Sequence, residues 1–166
     1  MQQKNIADFT ARPFFDIDKG WMLVTAGDRG RFNTMTASWG ALGTLWNRPA
    51  ATIYVRPVRY TYEFLENNEI FTLSLFEAGA CRPALSHLGT ASGRDGDKLA
   101  GTGLTPVFTD GATPPFFAEA RAALVCRKIY WSDIDPAHFL ADWIGRNYPE
   151  KDYHRMYVGE VLQLWG

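Results

Sequence analysis

The sequence has little of what marks membrane, secreted or zinc-binding proteins. No apolar run reaches the roughly 18 residues that span a bilayer, and residues 1–10 lack the apolar core of a signal peptide. Cysteine is scarce, with only Cys81 and Cys126 and no CxxC spacing, so neither a disulfide framework nor a zinc site is indicated. We therefore expect a cytoplasmic protein whose two cysteines are reduced and whose function needs no metal.

The chain also lacks a charge bias and the common catalytic motifs. Seventeen Lys and Arg against eighteen Asp and Glu give a net charge of −1, which favours neither a nucleic-acid partner nor a membrane surface. There is no GxGxxG after a strand, no Walker A loop, no GxSxG and no HExxH. Standard dinucleotide folds, serine hydrolases and zinc proteases lose support. The length of 166 residues predicts a single domain over 1–166.

Aromatic residues, by contrast, are abundant. Six Trp, seven Tyr and eleven Phe make up 14% of the chain, more than a small core needs for filling. Such rings are typical of subunit interfaces and of sites that bind flat ligands.

Strand-forming segments dominate the chain, with short helices between them. The predicted strands are Trp21–Gly27, Phe32–Trp39, Ala51–Arg56, Ile70–Phe76, Ala118–Ser132 and Tyr153–Trp165. The predicted helices are Tyr60–Asn67, Arg82–Leu88 with Gly89 as its C-cap, and a helix from Asp135-Pro136 to about Ile144. Asp28-Arg29-Gly30 predicts a hairpin turn, and Gly89–Gly103 a long loop. This order predicts a mainly β fold, a closed or nearly closed barrel with helical insertions.

The segment Asn33–Trp39 (NTMTASW) is a candidate ligand-binding strand. Thr34, Thr36 and Ser38 alternate along it and share one face, so they can offer hydroxyls beside the backbone amides of a strand edge. That chemistry suits a heteroaromatic ring with polar atoms on one rim. The other interpretation is a barrel strand with a polar outer face.

Two basic segments are candidate phosphate sites. Arg56–Thr61 (RPVRYT) places two guanidinium groups and a hydroxyl at the start of a predicted helix, where backbone N–H groups are free. Ser92–Lys98 (SGRDGDK) combines glycines with two cations. Without further observations, each is also consistent with a solvated surface segment. Among the histidines, His87 and His138 fall on predicted helices, and only His154 begins a predicted strand, where a structural hydrogen-bonding role is the alternative to acid–base chemistry.

Four segments match one known family in residues and in order along the chain. They are NTMTASWG (Asn33–Gly40), the run Arg48–Phe76, SGRDGDK (Ser92–Lys98) and YPEKDYHRMYVGEV (Tyr148–Val161). In these segments the chain resembles the flavin reductase-like family, whose members bind FMN in a split β-barrel. One departure is that this chain has Asp152-Tyr153-His154 where many members have Gly-Asp-His.

The resemblance implies a set of site residues. The isoalloxazine ring and ribityl chain would be contacted by Asn33, Thr34, Met35, Thr36, Ala37, Ser38 and Trp39, with Ser74 at the ribityl region. The phosphate end would be held by Arg56, Arg59, Tyr60 and Thr61 and completed by Ser92, Arg94 and Lys98. His154 would lie near the face where a nicotinamide docks, as the candidate catalytic residue.

The resemblance also implies the chemistry and the assembly. NADH or NADPH would bind transiently and transfer hydride to flavin N5, and electrons would pass on to free flavin, oxygen, iron or a redox partner protein. A homodimer with FMN near the subunit junction would bury the surplus aromatic residues. Two alternatives remain open: a flavoredoxin-like electron carrier reduced by another protein, and a barrel that binds a ligand without redox chemistry.

Overall fold

Strands make up most of the secondary structure in the computed structural model, which describes residues 1–166. The strands are β1 (Gln3–Lys4), β2 (Met22–Gly27), β3 (Phe32–Ala37), β4 (Gly40–Leu45), β5 (Arg48–Val55), β6 (Ile70–Leu75), β7 (Pro106–Val107), β8 (Phe116–Phe117), β9 (Ala122–Asp133) and β10 (Arg155–Trp165). The helices are α1 (Pro13–Asp16), α2 (Tyr60–Asn67) and α3 (Arg82–Thr90), with 3-10 turns at Ile6–Asp8, Pro136–His138 and Ile144–Asn147. None of these helices is long and apolar enough to cross a membrane.

One antiparallel sheet organises the chain, in the order β3-β2-β6-β9-β10-β5-β4, with β1 added at the end of β10. Its two edge strands, β3 and β4, are consecutive in sequence and are joined only by Ser38 and Trp39. The sheet curls into a barrel. Because β3 and β4 do not pair with each other, the barrel stays open between these two strands. The predicted split barrel is confirmed, and its open edge lies on the strand that carries NTMTASW.

Every second side chain along a strand points into the barrel, and these side chains fill its interior. On β6, Phe71 and Leu73 point into a core of nineteen buried residues that also receives Met35 and Ala37 from β3. Gly159 on β10 admits the Phe71 ring, since a Cβ there would stand 2.6 Å from the ring's Cζ.

A second apolar cluster covers the outer face of β2 and β6. Eight buried residues, including Leu85 of α3 and Phe117 of β8, pack there. Two hydroxyl side chains of β6 lie beneath this layer: Thr72 Oγ1 donates to the Pro115 carbonyl at 2.7 Å, and Ser74 Oγ accepts from the Phe117 N–H at 3.3 Å. The hydroxyls therefore pair with the covering backbone and satisfy its polar groups.

The predicted hairpin and the predicted helix Tyr60–Asn67 are confirmed. The C-cap assigned to Gly89 is wrong, because α3 continues to Thr90 and the N–H of Ala91 bonds the His87 carbonyl. Gly89 is instead a point of close approach, since a Cβ there would lie 3.3 Å from the Cβ of Thr36 on β3.

The predicted helix from Asp135 to Ile144 is also wrong. The Asp135 carboxylate does accept the Ala137 N–H at 2.8 Å, but only one 3-10 turn follows. Leu140 and Trp143 are 98% and 63% exposed, so the segment has no apolar surface against which a helix could be stabilised. Strand β4 was not predicted because it carries two glycines and few buried side chains, and it forms by pairing with β5.

Candidate functional site

A groove follows the open edge of β3. An edge strand leaves the N–H and C=O groups of every second residue unpaired, so this wall of the groove offers backbone donors and acceptors. Two adjoining cavities make up the groove. The Trp39 cavity, of about 150 Å³, is lined by Met35, Thr36, Ala37, Ser38, Trp39, Tyr54, Arg56, Arg59 and His154. The Lys98 cavity, of about 440 Å³, is lined by Arg29, Gly30, Arg31, Phe32, Asn33, Thr34, Tyr60, Phe64, Gly93, Gly96, Asp97, Lys98 and Leu99.

His154 forms one wall of the Trp39 cavity. Its ring lies 4.9 Å from the half-exposed Trp39 ring, and its Nδ1 is 2.9 Å from the Tyr148 hydroxyl. Burial, together with the positive charges of Arg56 and Arg59, lowers the pKa of His154 to about 4, although Asp152 opposes the shift. The imidazole is therefore neutral near pH 7. Because Tyr148 satisfies Nδ1, the Nε2 atom is left to interact with a ligand.

Arg56 is held by its protein neighbours. Its guanidinium donates to both carboxylate oxygens of Asp152 at 2.9 and 2.8 Å, donates to the Asn147 carbonyl at 2.8 Å, and lies over the Tyr148 ring at 5.3 Å. The bonds from Arg56 also lower the pKa of Asp152. Arg56 thus ties the segment before β10 to the end of β5, and it shapes the Trp39 cavity.

Arg59 lines the Trp39 cavity and Lys98 lines the Lys98 cavity, and the two are close enough for the Arg59 charge to act on Lys98; we call the region between them the junction. Arg59 takes part in none of the ion pairs. The Lys98 Nζ donates to the carbonyls of Leu88 and Ala91 at 3.1 and 3.2 Å, which leaves one of its three N–H groups for a ligand. Burial and the nearby Arg59 charge lower the pKa of Lys98 to about 8. Two cations without a carboxylate partner would attract an anion to this junction.

The junction is held in shape by contacts among Asn33, Thr61 and Gly93. Asn33 Nδ2 donates to Thr61 Oγ1 at 2.7 Å, which ties β3 to the first turn of α2. A Cβ at position 93 would stand 2.2 Å from Asn33 Oδ1, so only glycine allows the 92–98 loop to approach this closely. Thr61 is fully buried, and its role is to position neighbouring groups.

Several predicted residues reach the groove only through their backbone. The side chains of Met35 and Ala37 lie in the barrel core. The hydroxyls of Thr34 and Thr36 bond to protein groups: Thr34 lies 2.9 Å from the Thr25 hydroxyl, and Thr36 donates to the Leu85 carbonyl at 2.5 Å. Ser38, at the end of the strand, keeps its hydroxyl free for a ligand.

Of the remaining predicted residues, Tyr60 lines the Lys98 cavity, whereas Ser74, Ser92 and Arg94 line neither cavity. Ser74 lies beneath β8, and Ser92 Oγ accepts the N–H of Arg94 at 3.2 Å. Arg94 pairs with Glu63 at 2.5 Å on the surface, and the Tyr60 hydroxyl accepts a hydrogen bond from Arg31. These contacts order the loop and α2 around the site.

A third, larger cavity of about 950 Å³ opens on the far side of Trp39. Its lining is mostly apolar: Pro13, Phe14, Ile17, Asp18, Ser38, Trp39, Gly40, Ala41, Leu42, Tyr54, Ile134, Trp143, Ile144, Asn147 and Tyr148. Ser38, Trp39 and Tyr54 line both this cavity and the Trp39 cavity, so a ligand in one lies next to a ligand in the other. Tyr54 and Tyr148 were not predicted from the sequence, because nothing in their own segments marks the cavities they meet.

Comparisons with known proteins identify a matching family and similar folds. The family described as flavin reductase like domain matches residues 14–166. The comparison with curated proteins yields no match.

Three solved structures illustrate the similarity in fold. The FMN-binding domain of a flavin reductases-like enzyme from Shewanella baltica OS155 is 23% identical, with a TM-score of 0.69 over 99% of this chain and 76% of its own. The NADH:FAD oxidoreductase of Streptomyces globisporus C-1027 is 22% identical, with 0.68 over 93% and 79%. The flavoredoxin of Desulfovibrio vulgaris (Miyazaki F) is 23% identical, with 0.66 over 99% and 76%.

Proposed function

The chain belongs to the flavin reductase-like family, and we propose that it is an FMN-dependent oxidoreductase that takes hydride from NADH or NADPH. The observation that carries this proposal is the asymmetry of the groove. The Trp39 cavity has three aromatic rings in its lining, one of them a neutral imidazole; Arg59 in that lining and Lys98 in the next cavity have no carboxylate partner; and an open strand edge joins the two cavities.

The residues at the junction fit the phosphate of FMN. Arg59 and the remaining Lys98 N–H would donate to phosphate oxygens. The first turn of α2 adds backbone N–H groups, since Arg59 at its N-cap makes no side-chain capping bond there. Asn33 and Thr61 hold these groups in place.

The Trp39 cavity fits the ring system. The backbone of the β3 edge and the Ser38 hydroxyl would meet the polar rim of the isoalloxazine, while Trp39 and His154, which contact each other, would lie together beside the ring. When bound, the flavin supplies hydride acceptance at N5. His154 stays neutral and would donate or accept one hydrogen bond through Nε2, and Trp39 would limit the access of water.

The cavity of about 950 Å³ would receive the nicotinamide ring. It adjoins the Trp39 cavity through shared residues, and its apolar lining suits a flat ring stacked against a second ring. The chain has no dinucleotide fingerprint, which favours transient binding of the donor.

We propose that the chain folds as one domain over 1–166, works as a cytoplasmic homodimer, and delivers electrons to a small molecule or to a redox partner protein. Exposed aromatic residues such as Phe14, Trp46 and Trp131 support an interface, because large exposed apolar side chains are typical of surfaces that another chain covers. The two unpaired cysteines suit a reducing compartment. Analytical ultracentrifugation would measure the assembly, and a monomer at micromolar concentration would contradict the homodimer.

The direct test is anaerobic absorbance spectroscopy. We expect the purified protein with FMN to lose its flavin absorbance on addition of NADH or NADPH, much faster than free FMN does. Bound flavin that neither donor bleaches would favour the flavoredoxin-like carrier, and failure to bind FMN would reject both redox functions in favour of a barrel that binds another ligand.

A further inference from the structure

Tyr148 connects two of the cavities. Its ring lines the cavity of about 950 Å³, and its hydroxyl lies 2.9 Å from Nδ1 of His154, which lines the Trp39 cavity. Both side chains are buried, so water does not compete for this hydrogen bond. In a neutral imidazole, the bond made by one nitrogen decides whether the other nitrogen carries the hydrogen. The bond that Tyr148 makes at Nδ1 therefore decides what His154 offers to a ligand at Nε2.

The position of Tyr148 is fixed by three neighbouring side chains. Its ring stacks with Phe139 at 6.0 Å between centroids, lies 5.0 Å from the Tyr153 ring, and has the Arg56 guanidinium over its face at 5.3 Å. Arg56 is itself held by its ion pair with Asp152. The surrounding fold, and not the ligand, therefore presents the hydroxyl to the imidazole.

The phenol and the imidazole differ in acid strength, and this difference sets the direction of the bond. Burial raises the pKa of Tyr148, although the Arg56 charge opposes the shift, so the hydroxyl keeps its proton near pH 7. His154, whose pKa is lowered by burial to about 4, is neutral there. An imidazole nitrogen is a much stronger base than a phenol oxygen, and the phenol O–H is a good donor. Tyr148 therefore donates to Nδ1, and the single ring N–H of His154 is at Nε2.

We propose that Tyr148 is a positioning residue that holds His154 as an N–H donor, and not as an acceptor, toward the ligand in the Trp39 cavity. A fixed donor favours the form of a bound ring that has more electron density at the bonded atom. Relative to oxidised FMN, reduced FMN is therefore bound more tightly than it would be by an imidazole free to exchange tautomers. This consequence rests on the proposed function, because it takes the ligand to be FMN, whereas the tautomer is a property of the protein alone.

The first test needs no ligand. Heteronuclear NMR of the isotope-labelled, unliganded protein near neutral pH distinguishes a ring nitrogen that carries hydrogen from one that does not. We expect a single neutral tautomer of His154 in the wild type, with the hydrogen on Nε2, and a mixture of both tautomers in Tyr148→Phe. A hydrogen on Nδ1 in the wild type would overturn the inference whether or not the variant folds, and so would a single tautomer that persists in Tyr148→Phe.

The second test measures the dissociation constants of oxidised and reduced FMN under anaerobic conditions. Tyr148→Phe should lower the preference for the reduced form by about 3- to 10-fold, which is the contribution of about one hydrogen bond. In a His154→Gln background the same change should have no effect, because Tyr148 acts through the imidazole. An unchanged preference in Tyr148→Phe, or an equal loss in both backgrounds, would overturn the positioning role.

The matched control is Tyr153→Phe. Tyr153 belongs to the same aromatic cluster, with ring contacts to Tyr148 and Phe139, but it lines none of the three cavities. This variant should keep the wild-type tautomer and the wild-type preference for reduced FMN. If neither form of FMN binds to the wild type, the proposed function fails, while NMR of the unliganded protein still decides the tautomer.

Discussion

Two arginines from the turn after β5, Arg56 and Arg59, line the Trp39 cavity, and they differ in what holds them. In the Trp39 cavity, Arg56 bonds both oxygens of Asp152 and the Asn147 carbonyl. At the junction with the Lys98 cavity, Arg59 has no carboxylate partner, and Lys98 bonds only carbonyls. The charge of Arg56 is thus neutralised within the protein, whereas Arg59 and Lys98 carry positive charge that a ligand can neutralise.

This difference shows how one groove can hold a ligand with two dissimilar ends. The neutral imidazole of His154 and the paired guanidinium of Arg56 suit a ring whose electronic state changes during the reaction. An unneutralised pair of cations suits a permanent anion. We therefore expect low pH to affect the ring end, where His154 is protonated, and high pH to affect the phosphate end, where Lys98 loses its proton.

The largest expected effect concerns His154 at the ring end. Because the pKa of His154 is lowered to about 4 in the fold, the unfolded chain binds a proton between about pH 6.5 and 4 that the folded chain does not. The free energy of unfolding should therefore decrease as the pH is lowered from about 6.5 to 4, by up to about 3 kcal/mol. Urea unfolding at several pH values measures this, and His154→Asn should flatten the dependence.

The control for this prediction is His138→Asn, on the exposed 3-10 turn, which should keep the wild-type dependence. Proton NMR of the His154 ring gives a second measurement that needs no variant. A ring that titrates near pH 6.5 would contradict the predicted shift.

The next effect concerns Lys98 at the phosphate end. Lys98→Ala should weaken FMN by about 30- to 100-fold and riboflavin by less than about twofold, because only FMN carries the phosphate. In the wild type, FMN affinity should decline as pH rises through about 8, where Lys98 loses its proton, and the variant should lack this decline. Fluorescence titration measures both.

Lys19→Ala, which changes a lysine of an exposed surface ion pair, serves as the control and should bind FMN normally. Equal weakening of FMN and riboflavin by Lys98→Ala would remove the phosphate role and, with it, the contrast between the two ends.

The smallest expected effect concerns Gly93, at the junction between the two cavities. Gly93→Ala would bring a Cβ within 2.2 Å of Asn33 Oδ1 and disrupt the bond from Asn33 to Thr61. We expect a loss of about 1–2 kcal/mol in the free energy of unfolding, together with weaker FMN binding. Gly111→Ala, where a Cβ meets nothing within 4 Å, is the matched control. Wild-type stability and affinity in Gly93→Ala would show that the loop adapts.

Local patterns predicted the elements that bury a regular face. The helix Tyr60–Asn67 and the strands around the hairpin were found because apolar spacing and turn residues lie within each segment. Strand β4 and the absence of a helix after Asp135 could not be predicted in this way. The first depends on pairing with β5, and the second on the lack of a packing surface for Leu140 and Trp143.

The candidate site shows the same division. NTMTASW, RPVRYT and SGRDGDK were identified as binding segments from their residue types, and the structure gathers them along one groove. From the sequence, Arg56 and Arg59 were both assigned to the phosphate end, since both cations follow one strand. Only the structure separates them, because Asp152 reaches Arg56 from 96 residues away.

The amino-acid sequence alone indicated which segments carry polar and cationic side chains suited to a ligand and that alternating strands would form a barrel, because residue type and periodicity are local properties; the flavin followed from the resemblance to a known family. Tertiary structure decided where the barrel opens, which hydroxyls are used inside the protein, and which cations are left without a partner. Those outcomes depend on contacts between segments distant in sequence, and such contacts exist only after the chain has folded.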